Sequence, residues 1–254
     1  AGALAAGVPA SRILDMYVRR GRDLFRARSA WNPANWMRPK YDRHPFQLLL
    51  YSMLGVRKLR DLQSILVVTA FNRCSARTHF IKSDAAKDSG LNLVDVISWS
   101  ALSAAHYFGS ITTPDYKYRH LEPDGTEYEA TGAVWQDGGQ GIHNCTLVQA
   151  CVEALLRDSG SDTILSLGTG DRQAYSPVAA CQDGKIGQVK SYVGQARGEA
   201  AVSQILFARA MAGKYPLTVF RLNDVLADEL CELDAIDGIP QFVEVGIRLA
   251  RRLP

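Results

Sequence analysis

Two unbroken apolar runs constrain the fold of this chain more than any other feature. They are Ser64-Ile65-Leu66-Val67-Val68-Thr69-Ala70-Phe71 and Thr163-Ile164-Leu165-Ser166-Leu167. Continuous runs rich in β-branched residues mark strands buried on both faces, the usual condition of a parallel sheet. Leu217-Thr218-Val219-Phe220-Arg221-Leu222 reads as a further strand. Helical spacing fills the intervals: Ile13 to Phe25, Phe46 to Leu54, Leu93 to Phe108, Asn144 to Arg157, about Gly194 to Ala212, and Gln241 to Arg252. Strands alternating with helices predict an α/β sandwich with a largely parallel central sheet. Two local antiparallel pairs are also expected. Thr78 to Lys82 should lie beside the first run. Tyr116 to Arg119 and Glu127 to Glu129 should flank a turn at Pro123-Asp124-Gly125.

With 254 residues and 47% apolar composition, the chain can bury a sizeable core as one domain. No apolar run reaches the ~18–20 residues that span a bilayer. Five scattered cysteines, Cys74, Cys145, Cys151, Cys181 and Cys231, form no Cys-x-x-Cys pair. This predicts free thiols in a reducing cytoplasm rather than a zinc site or a disulfide framework. His44, His79 and His120 show no metal-ligand spacing.

Charge is unevenly spread. Residues 1–60 hold twelve Lys and Arg against three Asp, a local excess of nine positive charges. The whole chain is +3, so the remainder is net −6. A basic first quarter attracts phosphate head groups or nucleic acid, or is simply a solvated helix face. No nucleic-acid-binding motif accompanies it, so no nucleic-acid partner is expected. Trp31, Trp36 and Met37 lie beside Arg28, Arg38 and Lys40 in an irregular stretch. This stretch reads either as a lipid-facing lid or as a packed surface loop.

The segment Trp135-Gln136-Asp137-Gly138-Gly139-Gln140-Gly141-Ile142-His143-Asn144 places a carboxylate at a strand end, followed by two glycines. Glycines there permit positive φ and close backbone approach. Asp137 is thereby a candidate base for a nucleophile supplied from elsewhere, although Asp-Gly pairs also mark ordinary turns.

Other pieces fall in order around it: Ala1-Gly2-Ala3-Leu4-Ala5-Ala6-Gly7, then Trp99-Ser100-Ala101-Leu102-Ser103-Ala104-Ala105-His106, then Asp137-Gly138-Gly139, Ile164 to Gly170, and Phe220-Arg221-Leu222. This ordered set resembles the patatin-like phospholipase family over essentially the whole chain. The resemblance implies a single three-layer α/β/α patatin-like domain over 1–254 and a Ser-Asp catalytic dyad. Asp137 matches the family's aspartate. Ala1-Gly2-Ala3-Leu4 matches the residues directly after its serine. No Gly-x-Ser-x-Gly occurs from Ala1 to Pro254. The resemblance therefore puts the nucleophile immediately before Ala1, with the first strand and the oxyanion loop further upstream.

In this picture Ala1 and Gly2 supply the turn and oxyanion donor after the serine, and Gly138 and Gly139 shape the turn around the base. His143, Asn144 and His106 are expected as site wall. His143-Asn144-Cys145 stands where the family usually has Asn-Asn-Pro, and His106 stands where it usually has proline. The implied activity is hydrolysis of phospholipid or lysophospholipid esters through an acyl-serine. It needs no metal or cofactor and takes place in the cytoplasm at the periphery of a membrane. The alternative is a membrane-degrading effector switched on by a nucleotide signal or a protein partner.

Overall fold

The computed structural model describes residues 1–25, 38–104, 107–140, 143, 145–157, 162–172, 185–227, 230 and 236–252. The chain divides into two compact units, Ala1–Gly141 and Ile142–Pro254. Both α and β elements are present in each, as expected for the α/β class.

The first unit opens with a short helix α1 (Gly2–Ala5), then α2 (Ala10–Leu24) and α3 (His44–Leu54). Proline suits the first turn of α3, where its missing N–H is one the helix would leave without an intrahelical partner, and Gly55 closes the helix with φ 65°. Next come β1 (Val67–Asn72), β2 (Arg77–Lys82), α4 (Leu93–Ala101), β3 (Ile111–Leu121) and β4 (Glu127–Asp137). Asn92 caps α4 by accepting the Val94 N–H at 2.8 Å. The strands form one sheet in the order β2-β1-β4-β3.

Every pairing in this sheet is antiparallel, which corrects the expectation of a largely parallel central sheet. For the β1–β2 and β3–β4 pairs the cause is connection length. Residues 73–76 join β1 to β2, and residues 122–126 join β3 to β4. Parallel neighbours need a crossover of a dozen or more residues, whereas links this short close hairpins. The β3–β4 turn is held by Asp124, whose carboxylate accepts the Thr126 N–H at 2.9 Å, with Gly125 at φ 90°. The β3–β4 register shifts between Thr113 and Lys117, around Pro114, which has no N–H to donate.

One face of the sheet is covered by α4. Trp99 of α4 stacks on Trp135 of β4, with centroids 5.3 Å apart and planes within 8°. Trp135, Ala70, Asn72, Leu93, Val94 and Val96 are fully buried there. The Trp135 indole N–H is satisfied by Thr113 Oγ1 at 2.7 Å. A second aromatic group, Phe25, Tyr41, Phe46 and Phe108, ties the end of α2 to α3 and the 107–109 segment. Arg43 supports that segment by donating to the Phe108 and Ser110 carbonyls at 2.7 and 3.0 Å.

The second unit holds α5 (Leu147–Leu156), β5 (Asp162–Leu167), β6 (Asp171–Arg172), α6 (Lys185–Lys214), β7 (Leu217–Leu222), β8 (Val225–Leu226) and α7 (Ile239–Ala250). Here the long helix α6 supplies a crossover, and β5 pairs β7 in parallel. Leu147, Cys151, Ala208 and Leu217 form its core, with Ile164 and Val219 packed against them. On β5, Leu165 and Leu167 are exposed while Ile164 and Ser166 are half-buried, so among the described residues this run is not buried on both faces as its composition suggested. Cys74, Cys145 and Cys151 are free thiols. No described helix is long and apolar enough to cross a membrane.

Candidate functional site

Asp137 is the last residue of β4 and lies opposite Ala70 of β1. Side chains alternate along a strand, so Asp137 shares a face with Trp135 and Ala133, the face that α4 covers. The strand ends in a single 3-10 turn, Gly138–Gln140. Within it the Gly139 N–H donates to Asp137 Oδ1 at 2.9 Å. An Asx contact of this kind fixes the carboxylate relative to its own backbone. Asp137 itself is half-buried.

Gly138 is required by sterics. A Cβ there would overlap the carbonyl oxygen and Oγ1 of Thr69 on β1. The close approach expected of this glycine pair is present. Positive φ is not used, since neither Gly138 nor Gly139 adopts it. Without a side chain at 138, β1 comes close under the turn and the carboxylate of Asp137 is held at the sheet end.

Ala1 and Gly2 start α1, which packs on α4. A Cβ at Gly2 would come within 2.7 Å of Ile97 Cδ1. Helix α4 in turn contacts β1 and β4. Strand β4, which ends at Asp137, and the helix that begins at Gly2 thus both pack on α4. His143 lies in the second unit, half-buried, and burial lowers its pKa. His106, Asn144, Trp31, Trp36 and Met37 lie outside the described residues.

One arrangement escaped the sequence reading. His79 on β2 also lies opposite Ala70, so His79, Ala70 and Asp137 form one row across three strands. Directly opposed residues point to the same face. His79 Nε2 is 2.9 Å from Ser75 Oγ, and Ser75 Oγ donates to the Asn72 carbonyl at 3.3 Å. The imidazole packs edge-on to Tyr118 and Trp135. Burial first, then the positive charges of Lys87 and His120, lower its pKa to about 4, so it is neutral at pH 7. A serine four residues before a histidine carries no periodicity signal. Only the 73–76 turn brings the two together.

Nearby, Asn72 is fully buried. Its Oδ1 accepts from the Cys74 and Val134 amides at 3.0 and 3.3 Å, while its Nδ2 has no hydrogen-bond partner. Asp88 is likewise buried, accepting from the Lys82 amide at 3.2 Å and the Tyr116 hydroxyl at 3.3 Å. In the second unit, Arg221 on β7 donates to Ser166 Oγ of β5 at 2.9 Å and approaches Cys145 Sγ at 3.8 Å. The Gly168–Gly170 loop closes on Asn223, whose Oδ1 accepts the Gly170 N–H at 3.0 Å. No cluster of three or more His, Cys, Asp or Glu side chains with metal-binding geometry occurs among the described residues.

Compared with known proteins, the chain matches no family model and no curated protein.

Proposed function

We propose that this chain belongs to a patatin-like lipid acyl hydrolase whose general base is Asp137. The observation that carries the reading is the Asp137 turn: a carboxylate at a strand end, pinned by the Gly139 amide and set by a glycine that admits no side chain. Further support comes from the motif order along the chain and from α1 and β4 packing on the same helix.

The chemistry follows from the parts. A serine hydroxyl is a poor nucleophile and needs an adjacent base. The serine, supplied N-terminal to Ala1, attacks the ester carbonyl while Asp137 takes its proton. The backbone N–H after the serine stabilises the oxyanion, a donor worth roughly 10²–10³ in rate. The tetrahedral intermediate collapses, the glycerol oxygen leaves with the proton, and an acyl-serine remains. Asp137 then deprotonates the water that releases the fatty acid. General-base help of this kind contributes on the order of 10²–10⁴.

A fluorophosphonate probe tests the nucleophile. Serine oxygen displaces fluoride at phosphorus, and peptide mass spectrometry locates the adduct. In the full-length protein the adduct should fall on a serine just before Ala1. An adduct on a serine within residues 1–254, or none at all, overturns the assignment.

A further inference from the structure

We infer that the cleft beside the bulge of β3 binds an amphipathic monoanion, an apolar chain that ends in a carboxylate. The inference goes beyond the hydrolase reading, because it needs neither Asp137 nor the serine.

The cleft follows the bulge. Between Thr113 and Lys117 the β3–β4 register shifts, and residues 114–116 leave the regular ladder. Across the pair Gly132 takes φ 90°, close to the Pro114 carbonyl. A cleft of about 860 Å³ runs along this part of β3 and is lined also by Leu91 and by Trp99 of α4. That volume falls in the range of small-molecule sites, which are mostly apolar with a few placed polar groups. Leu91, Pro114 and the Trp99 ring supply the apolar wall.

The polar groups in the lining include donors without acceptors. Trp99 is only 8% exposed, yet its indole N–H meets no hydrogen-bond partner among the described residues and is not sealed from solvent. The hydroxyl of the buried Tyr118 is in the same condition. The Lys87 ammonium, also in the lining, has no ion-pair partner among the described residues. Donors in this state suit an acceptor-rich, anionic group. The charges around them limit that group to one negative charge. Lys117 and Arg119 are already paired across the strands with Glu129 and Glu127, at 3.4 and 3.6 Å. Asp115, exposed in the lining, repels further negative charge. One spare cation beside an apolar wall matches a carboxylate on a hydrocarbon chain. A nucleic acid would need more free cations than the cleft holds.

The test is binding of decanoate to the full-length protein. It is read by calorimetry and by the nitrogen–proton resonance of the Trp99 indole, identified by its loss in Trp99→Phe. Decanoate should bind saturably and shift that resonance. Decanol, with the chain but not the charge, should bind at least about threefold more weakly, and acetate not at all. Lys87→Glu should weaken decanoate by about fivefold or more and leave decanol within about twofold, with the unfolding midpoint unchanged. Decyl phosphate at pH 8, a dianion, should bind no tighter than decanoate. An unmoved Trp99 resonance, decanol binding as tightly as decanoate, or a Lys87→Glu variant that binds like its parent overturns the inference. Tighter binding of decyl phosphate overturns the single charge. If decanoate binds as expected but no ester is cleaved, the cleft stands and the hydrolase reading falls. If esters are cleaved in an Asp137-dependent way but decanoate is not bound, the cleft falls alone.

Discussion

Asp137 and His79 face the same residue, Ala70, from the two strands that flank β1. Two strand spacings put their Cα atoms roughly 10 Å apart. On one side of the alanine sits a carboxylate pinned by its own turn. On the other sits an imidazole kept neutral by burial and engaged with Ser75. Along the row the β4 end carries the pinned carboxylate, and the β2 side locks the hairpin.

The steric demand at Gly138 is directly measurable. Gly138→Ala must displace the Thr69 backbone, so it should destabilise the protein by about 1–3 kcal/mol in urea unfolding. Gly90 is exposed, and a methyl group added there would meet open space, so Gly90→Ala should stay within about 1 kcal/mol of the parent. Equal effects at the two positions would contradict the close approach.

His79 makes stability depend on pH. Its folded pKa, about 4, is below the ordinary 6.5, so the unfolded chain binds an extra proton between these values. Stability from this group is complete above about 6.5 and is lost as pH falls toward 4. Urea midpoints should drop between pH 7 and pH 5, and His79→Gln should flatten that decline. An unchanged slope in the variant would remove His79 as its source.

Asn72 holds two backbone amides with one oxygen. Asn72→Ala removes the acceptor of the half-buried Val134 N–H and of the exposed Cys74 N–H, and should cost about 1–3 kcal/mol in all, most of it at Val134. Hydrogen exchange at Val134 should accelerate together with the loss in stability. Unaltered protection at Val134 would argue against the contact.

Local pairings were legible in the sequence because local signals encode them. The β1–β2 neighbour and the turn at Asp124-Gly125 occur where strand runs and turn residues placed them. The β5–β7 strands were legible for the same reason. The two local antiparallel pairs were legible too, but the direction of β1 against β4 was not, since an apolar run reports burial and not its partner's orientation. The β1–β4 contact spans some sixty residues and has no local signature. Helix α4 stops at Ala101 rather than running to Phe108. Just beyond its end the Ser103 hydroxyl bonds back to the Trp99 carbonyl, a competitor of helical pairing. At the candidate site, Asp137 was visible because Asp-Gly-Gly is contiguous. The Ser75–His79 pair was not, because a turn assembles it.

The central claim is that Asp137 is a general base. The most direct measurement is fatty-acid release from phospholipid by the full-length protein and its Asp137→Asn variant, at equal folded concentration. The amide keeps the shape and can still accept the Gly139 N–H, but it cannot take a proton. The account predicts a fall of at least about 10²-fold in turnover with the unfolding midpoint nearly unchanged. Turnover within a few-fold of the parent would contradict it.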